Sequence, residues 1–162
     1  MAALRERAGK TKPGDWVLGF KYDDTKTAEG RPLTRDDLDG VSKEHPVFVE
    51  HRGGHTSYLN SRAFTVAGVS ETTPDPPGGR YDRGAATGRL TGRAAETAKD
   101  AIEARIPSTL TRDERREGAR LISRMMTRAG LTSAHDAFGS PEDLRAYQDA
   151  RESGDLGLRV YC

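Results

Sequence analysis

The chain has 162 residues, 34% hydrophobic and 31% charged, with a formal net charge of +1; this is enough chain for a real core, and charges that nearly cancel exclude the disordered class and give no electrostatic case for nucleic acid or an anionic membrane as partner. No apolar run approaches the ~20 residues that span a bilayer, and the N-terminal stretch MAALRERAGKTKPGD lacks the apolar segment of a signal peptide. The single cysteine, Cys162, has nothing within the chain to pair with, so a soluble, cytoplasmic protein without a disulfide framework is expected.

The first half reads as short elements separated by turns. Ala2 to Ala8 is helix-like and stops at Gly9 and Pro13-Gly14, and Trp16 to Tyr22 is strand-like. Thr34 is placed to cap a short helix whose first turn carries Asp36 and Asp37, where the helix dipole favours acids. Pro46 to Glu50 is an apolar strand, His55 to Leu59 a further one, and Arg62 to Ala67 is helical. The loop TTPDPPGG, Thr72 to Gly79, leaves no room for helix or central strand. Arg80 to Arg83 and Gly88 to Leu90 form a small hairpin, and Ala94 to Arg105 has helical spacing until Pro107 breaks it.

The second half has a clearer rhythm. Thr111 and Glu114 form a capping box. The helix that follows carries the stripe Ala119, Ile122, Met126 and Ala129, widened by Leu121 and Met125, and Gly130 ends it. The arginines at 112, 115, 116 and 120 are interleaved with Asp113, Glu114 and Glu117, which is the pattern of a solvated helix face. Leu131 to Ala134 is a short strand. Ser140 then caps a helix with Pro141 at its first position and Leu144 and Tyr147 facing inward, and Leu158 to Tyr161 is the last strand. Helix, strand, helix, strand with short links is the rhythm of a parallel α/β sheet or barrel.

Candidate functional residues follow from where strands end. After Pro46 to Glu50 comes a Gly-rich polar turn, His51-Arg-Gly-Gly-His55, the kind of place where folds put reactive side chains. His51 and His55 are four residues apart; on one straight strand ~3.3 Å steps would separate them by ~13 Å, too far to share an ion. His135-Asp136 follows a strand directly, at the end that faces the active site in barrels. Its plain alternative is that Asp136 hydrogen-bonds the loop backbone. Asn60 is either the cap of the helix after it or a group near a pocket. His45, before Pro46, is expected in a loop.

The series Trp16-Val-Leu-Gly-Phe, Leu33-Thr-Arg-Asp-Asp-Leu-Asp, His45-Pro-Val-Phe-Val, Gly54-His55 leading to Asn60-Ser61-Arg62-Ala63, Thr73-Pro-Asp-Pro-Pro-Gly-Gly and Gly130-Leu-Thr-Ser-Ala-His-Asp resembles, in that order, the family-3 branch (amidohydrolase 3) of the amidohydrolase superfamily. The resemblance implies a metal-dependent hydrolase on a (β/α)8 barrel that acts on carbon–nitrogen bonds other than ordinary peptide bonds, using a metal-activated water. It implies an α/β fold in which residues 1–110 are an α+β excursion inserted in the barrel. Residues 111–162 then supply its second and third strands with their helices. The cofactor implied for the full-length family is a divalent metal, zinc foremost, and the partner a small-molecule amide-type substrate.

The departures bear on the site. The family's His-x-His pair is missing; the histidines are His45, His51, His55 and His135. The family's later histidine and aspartate ligands do not occur either, so this chain is expected to bind no metal alone. The positions carried over are His55, His135 and Asp136 as catalytic candidates and Arg52 and Asn60 as substrate-binding candidates. Two readings follow. In one, the chain is a fragment of an amidohydrolase, prone to self-association through exposed barrel edges. In the other it is a non-catalytic truncated chain or interaction module. A self-contained hydrolase would require His55, His135 and Asp136 to converge.

Overall fold

In the computed structural model, which describes residues 1–107 and 110–162, the apolar run after Pro46 lies in the middle of a five-stranded sheet. The strands are β1 (Val17–Tyr22), β2 (Val47–His51), β3 (Thr56–Leu59), β4 (Gly79–Arg83) and β5 (Leu90–Glu96), ordered β1-β2-β3-β5-β4. β1 and β2 are parallel and every other pair is antiparallel. With them come helices α1 (Ala2–Ala8), α2 (Arg35–Asp39), α3 (Ser61–Ala67) and α4 (Thr97–Glu103). Together they form the first of two compact units, Met1–Pro107; the second is Ser108–Cys162.

The pleat explains the core of the first unit. Successive side chains alternate between faces, so Val47 and Val49 join Ala8, Val17, Leu38 and Tyr58 on one side. Phe48 joins Leu59, Phe64, Ala94, Ala98 and Ile102 on the other. Val17, Leu38, Val47, Leu59 and Ile102 have 0% of their surface exposed, and each such side chain contributes about 1.5–3 kcal/mol by leaving water.

One expected helix is divided. The spacing of Ala94, Ala98 and Ile102 predicts helix from Ala94 onward, but β5 runs to Glu96 and α4 begins at Thr97. Ala94 pairs with Ser57 of β3 on one side and Tyr81 of β4 on the other. Two ladders satisfy the backbone there and outweigh alanine's helix preference, worth under about 1 kcal/mol per residue. Glu96, at φ 53, turns the chain from strand into helix. The hairpin expected at 80–90 is thus the outer part of a larger sheet.

The second unit contains α5 (Arg112–Arg128), β6 (Ser133–His135), α6 (Pro141–Glu152) and β7 (Arg159–Tyr161). β6 and β7 are parallel, with Ser133 opposite Arg159 and His135 opposite Tyr161. Capping boxes at Thr111 and Ser140 start both helices, and Gly130 and Gly154 adopt positive φ after them. β6 lies nearer His135 than the run Leu131 to Ala134 predicts. The expected apolar stripe of α5 is also corrected. Ala119 and Ser123 are buried, whereas Leu121, Ile122 and Met125 are exposed. In α6, Ala146 and Ala150 are buried and Leu144 is exposed rather than inward. α5 and α6 are in contact with these small residues buried, since short side chains let two helices approach closely; Leu121, Met125 and Leu144 are turned to solvent, while Met126 and Tyr147 are half-buried.

Candidate functional site

The parallel pair in the second unit brings His135 and Asp136 to the carboxyl ends of its strands. The Asp136 amide donates to Tyr161 O at 2.7 Å, so the residue extends the ladder by one step. Its carboxylate is held on both oxygens: Oδ1 accepts from the Phe138 amide at 3.1 Å and Oδ2 from the Tyr147 hydroxyl at 2.8 Å. Burial pushes the Tyr147 phenol up to about 12, with the hydrogen bond to Asp136 adding to the shift, so it stays a donor near neutral pH. His135 is exposed, and its ring makes no hydrogen bond among the described residues. Both residues border a cleft of about 160 Å³ whose walls include Ile122, Met126, Leu158 and Val160. Chemically, the cleft offers an exposed imidazole for proton exchange beside a carboxylate fixed in place.

In the first unit the β2–β3 turn presents its polar residues one at a time. His55 Nδ1 is 3.0 Å from Glu96 Oε2, with the two side chains 70% and 55% exposed. The same residues are joined through the backbone, where the Glu96 amide donates to His55 O at 2.9 Å. Arg52 Nε is 3.1 Å from Oδ2 of the buried Asp23. The Thr25 hydroxyl and amide hold the Asp23 carboxyl below its usual range, and Arg52 adds to this. His51 accepts from the Gly53 amide on Nδ1 at 3.2 Å, which puts the ring proton on Nε2, 3.4 Å from Asp24 Oδ1. This His51–Asp24 pair sits at the carboxyl ends of parallel β1 and β2. Nothing in residue order reveals it, because a bulge in β1 sets its alignment: Gly19 opposes Val49 but Tyr22 opposes His51.

Asn60 is fully buried, and its amide is occupied by the backbone. Oδ1 accepts from Val47 N and from Ala63 N, at 2.9 and 2.8 Å; Nδ2 donates to Ser42 O and His45 O, at 2.8 and 2.9 Å. It caps α3 and ties the loop before β2 to the end of β3, with no group turned to a ligand. His45 is buried, with Nδ1 3.1 Å from Asp15 O.

A zinc centre needs three or four N, S or O donors converging on one point. Among the described residues no group of three or more His, Cys, Asp or Glu side chains is so arranged. His135 and Asp136 offer two donors at most, and both Asp136 oxygens already accept hydrogen bonds. The described residues therefore do not by themselves fit a zinc centre.

The sequence profile described as "Amidohydrolase family" matches residues 1–161. The chain belongs to the amidohydrolase family. Among curated relatives, the N-substituted formamide deformylase of Arthrobacter pascens is 31% identical over 89% of this chain and 27% of its own length. A Bacillus subtilis (strain 168) protein bearing the name amidohydrolase YtcJ is 30% identical over 99% of this chain and 31% of its own. The crystal structure of an uncharacterized metal-dependent hydrolase from Pyrococcus horikoshii OT3 superimposes with a TM-score of 0.56 at 21% identity, over 98% of this chain and 30% of that one. That likeness shows a shared fold. This family member spans about 30% of the length of the relatives it matches. Among the described residues no helix is long and apolar enough to cross a membrane.

Proposed function

We propose that this chain forms part of the scaffold of a hydrolase that adds water across carbon–nitrogen bonds other than ordinary peptide bonds. The match of the amidohydrolase profile to residues 1–161 carries the reading. In it, the second unit is a pair of βα steps of a (β/α)8 barrel and the first an inserted α+β excursion. The parallel pairing of β6 and β7 supports that placement. His135 exchanges a proton with the substrate: water joins the acyl carbon, the carbon–nitrogen bond breaks, and the departing nitrogen takes up the proton. Asp136, anchored by Tyr147 and the Phe138 amide, fixes the loop that presents His135. Arg52 and His55 lie on the β2–β3 turn of the excursion, where Asp23 and Glu96 pair with them. In this reading the ligands for a divalent metal, zinc foremost, come from segments outside this chain.

The test is metal analysis of the purified chain together with assays on N-formyl and N-acyl amides, and the sequence of the DNA on both sides of its reading frame. The reading expects no stoichiometric zinc and no turnover from the chain by itself, and His-x-His and later His and Asp motifs in the flanking DNA. Stoichiometric zinc with chelator-sensitive turnover would make the chain self-contained. Flanking DNA without those motifs would favour a non-catalytic interaction module, a reading to which the exposed apolar side chains of α5 lend some weight.

A further inference from the structure

The first unit contains a concavity of about 430 Å³ between α1, β1 and the loop before α2, within the roughly 300–1,000 Å³ of small-molecule pockets. Its walls include Leu4, Leu18, Phe20, Leu33 and Val49. Phe20 is 67% exposed, and core packing does not account for that. The β1 bulge does: Phe20 and Lys21 together oppose Glu50 alone, with Lys21 held at φ 56. A non-glycine residue in that region is strained, and such strain persists only where the surroundings enforce it. Here it keeps an aromatic ring at the wall of an open hollow.

The charges around the hollow are unequal in availability. Arg31 is occupied by Asp37, through contacts of 2.6 and 3.0 Å. Arg7 also lines the hollow, and its guanidinium has no hydrogen bond or ion pair among the described residues. Glu29, on the loop, likewise accepts no hydrogen bond there. Met1, which carries the α-ammonium, lines the hollow as well as Arg7; positive charge over apolar walls selects an anion with a hydrocarbon body, and a nearby carboxylate selects against a second negative charge on it. We propose that this concavity binds a small aliphatic monocarboxylate, its carboxylate on Arg7 and its chain against Leu4, Phe20, Leu33 and Val49. This stands apart from the hydrolase reading and is measured without turnover.

The probe is hexanoate, titrated into the isotope-labelled chain and followed by amide NMR shifts, with 1-hexanol and adipate as controls. Hexanoate is expected to shift residues of α1, β1 and the loop at 27–33 with a millimolar Kd, as suits so small a ligand. Arg7→Gln should weaken it about tenfold, the loss of one charge-assisted hydrogen bond; hexanol should bind the wild type about as weakly, and adipate more weakly than hexanoate. Phe20→Ser removes an exposed ring and should also weaken binding with the fold intact. No saturable shifts up to about 10 mM, ten times such a Kd, would overturn the proposal. So would hexanol binding as tightly as hexanoate, or an affinity indifferent to Arg7→Gln.

Discussion

At the scale of single residues, the most consequential side chain is Asn60, which satisfies four backbone groups from three segments while wholly buried. Asn60→Ala would strand two amides and two carbonyls, and each buried unpaired group costs about 1–3 kcal/mol. The expected loss is about 3 kcal/mol or more, read from urea unfolding; a loss below about 1 kcal/mol would mean water repairs the gap. Asp37 makes a second case. The Arg31 guanidinium holds its carboxyl well below the usual range, helped by the Thr34 hydroxyl and amide. A carboxyl depressed in the fold contributes stability that is present above its unfolded value, about 3.9, and is lost as pH falls through and below it. Wild type should therefore exceed Asp37→Asn by about 1–3 kcal/mol at neutral pH, and melting curves should show the gap closing toward pH 2. Tyr147 runs the other way: its phenol titrates near 12. The protonated form is favoured, so this contribution is intact below the ordinary tyrosine value of about 10 and disappears as pH climbs through the folded value. In ultraviolet titration, Tyr147→Phe should remove one of the late-ionising tyrosines, and an unchanged high-pH limb would refute the raised Tyr147 phenol.

At the scale of elements, what sequence reveals depends on how local the cause is. The caps at Thr34, Thr111 and Ser140, the stops at Gly130 and Gly154, and the strand after Pro46 are all legible, because each is decided within a turn or a short run. The continuation of β5 beyond Leu90 is not legible, because its alanines are helical by preference and become strand only between two partners distant in sequence. The same holds at the candidate site. His135 and Asp136 are adjacent and visible, but Tyr147, eleven residues later, becomes Asp136's partner only once α6 packs. The Arg52–Asp23 and His55–Glu96 pairs likewise join residues 29 and 41 apart. Gly92 tests how β5 is held. It has φ +109, and a Cβ there would lie 2.4 Å from Arg35 N. Gly92→Ala combines backbone strain with a clash against the start of α2, so a loss above about 2 kcal/mol is expected in chemical unfolding. Loss of the Thr111 cap, by contrast, should cost only about 1 kcal/mol, since water can replace its hydrogen bonds.

At the scale of the whole molecule, the apolar side chains of the second unit govern behaviour in solution. Leu121, Met125 and Phe138 are 50%, 67% and 92% exposed, although residues of this kind normally lie inside. Helix α5 turns Leu121 and Met125, four residues apart, to the same side. Contiguous apolar surface of this sort drives association, because each square ångström withdrawn from water yields about 25 cal/mol. The chain is therefore expected to self-associate at micromolar concentration, with sedimentation velocity showing species heavier than the 17.7 kDa monomer. Leu121→Glu with Met125→Glu should restore the monomer without loss of helicity, since both positions are exposed and glutamate is a good helix former. Raising the salt should leave association of the parent chain in place, as apolar contacts are not screened. Were the parent strictly monomeric, or its association abolished by salt alone, the apolar face of α5 would not be the sticking surface, and the interleaved arginines and acids beside it would become the candidates.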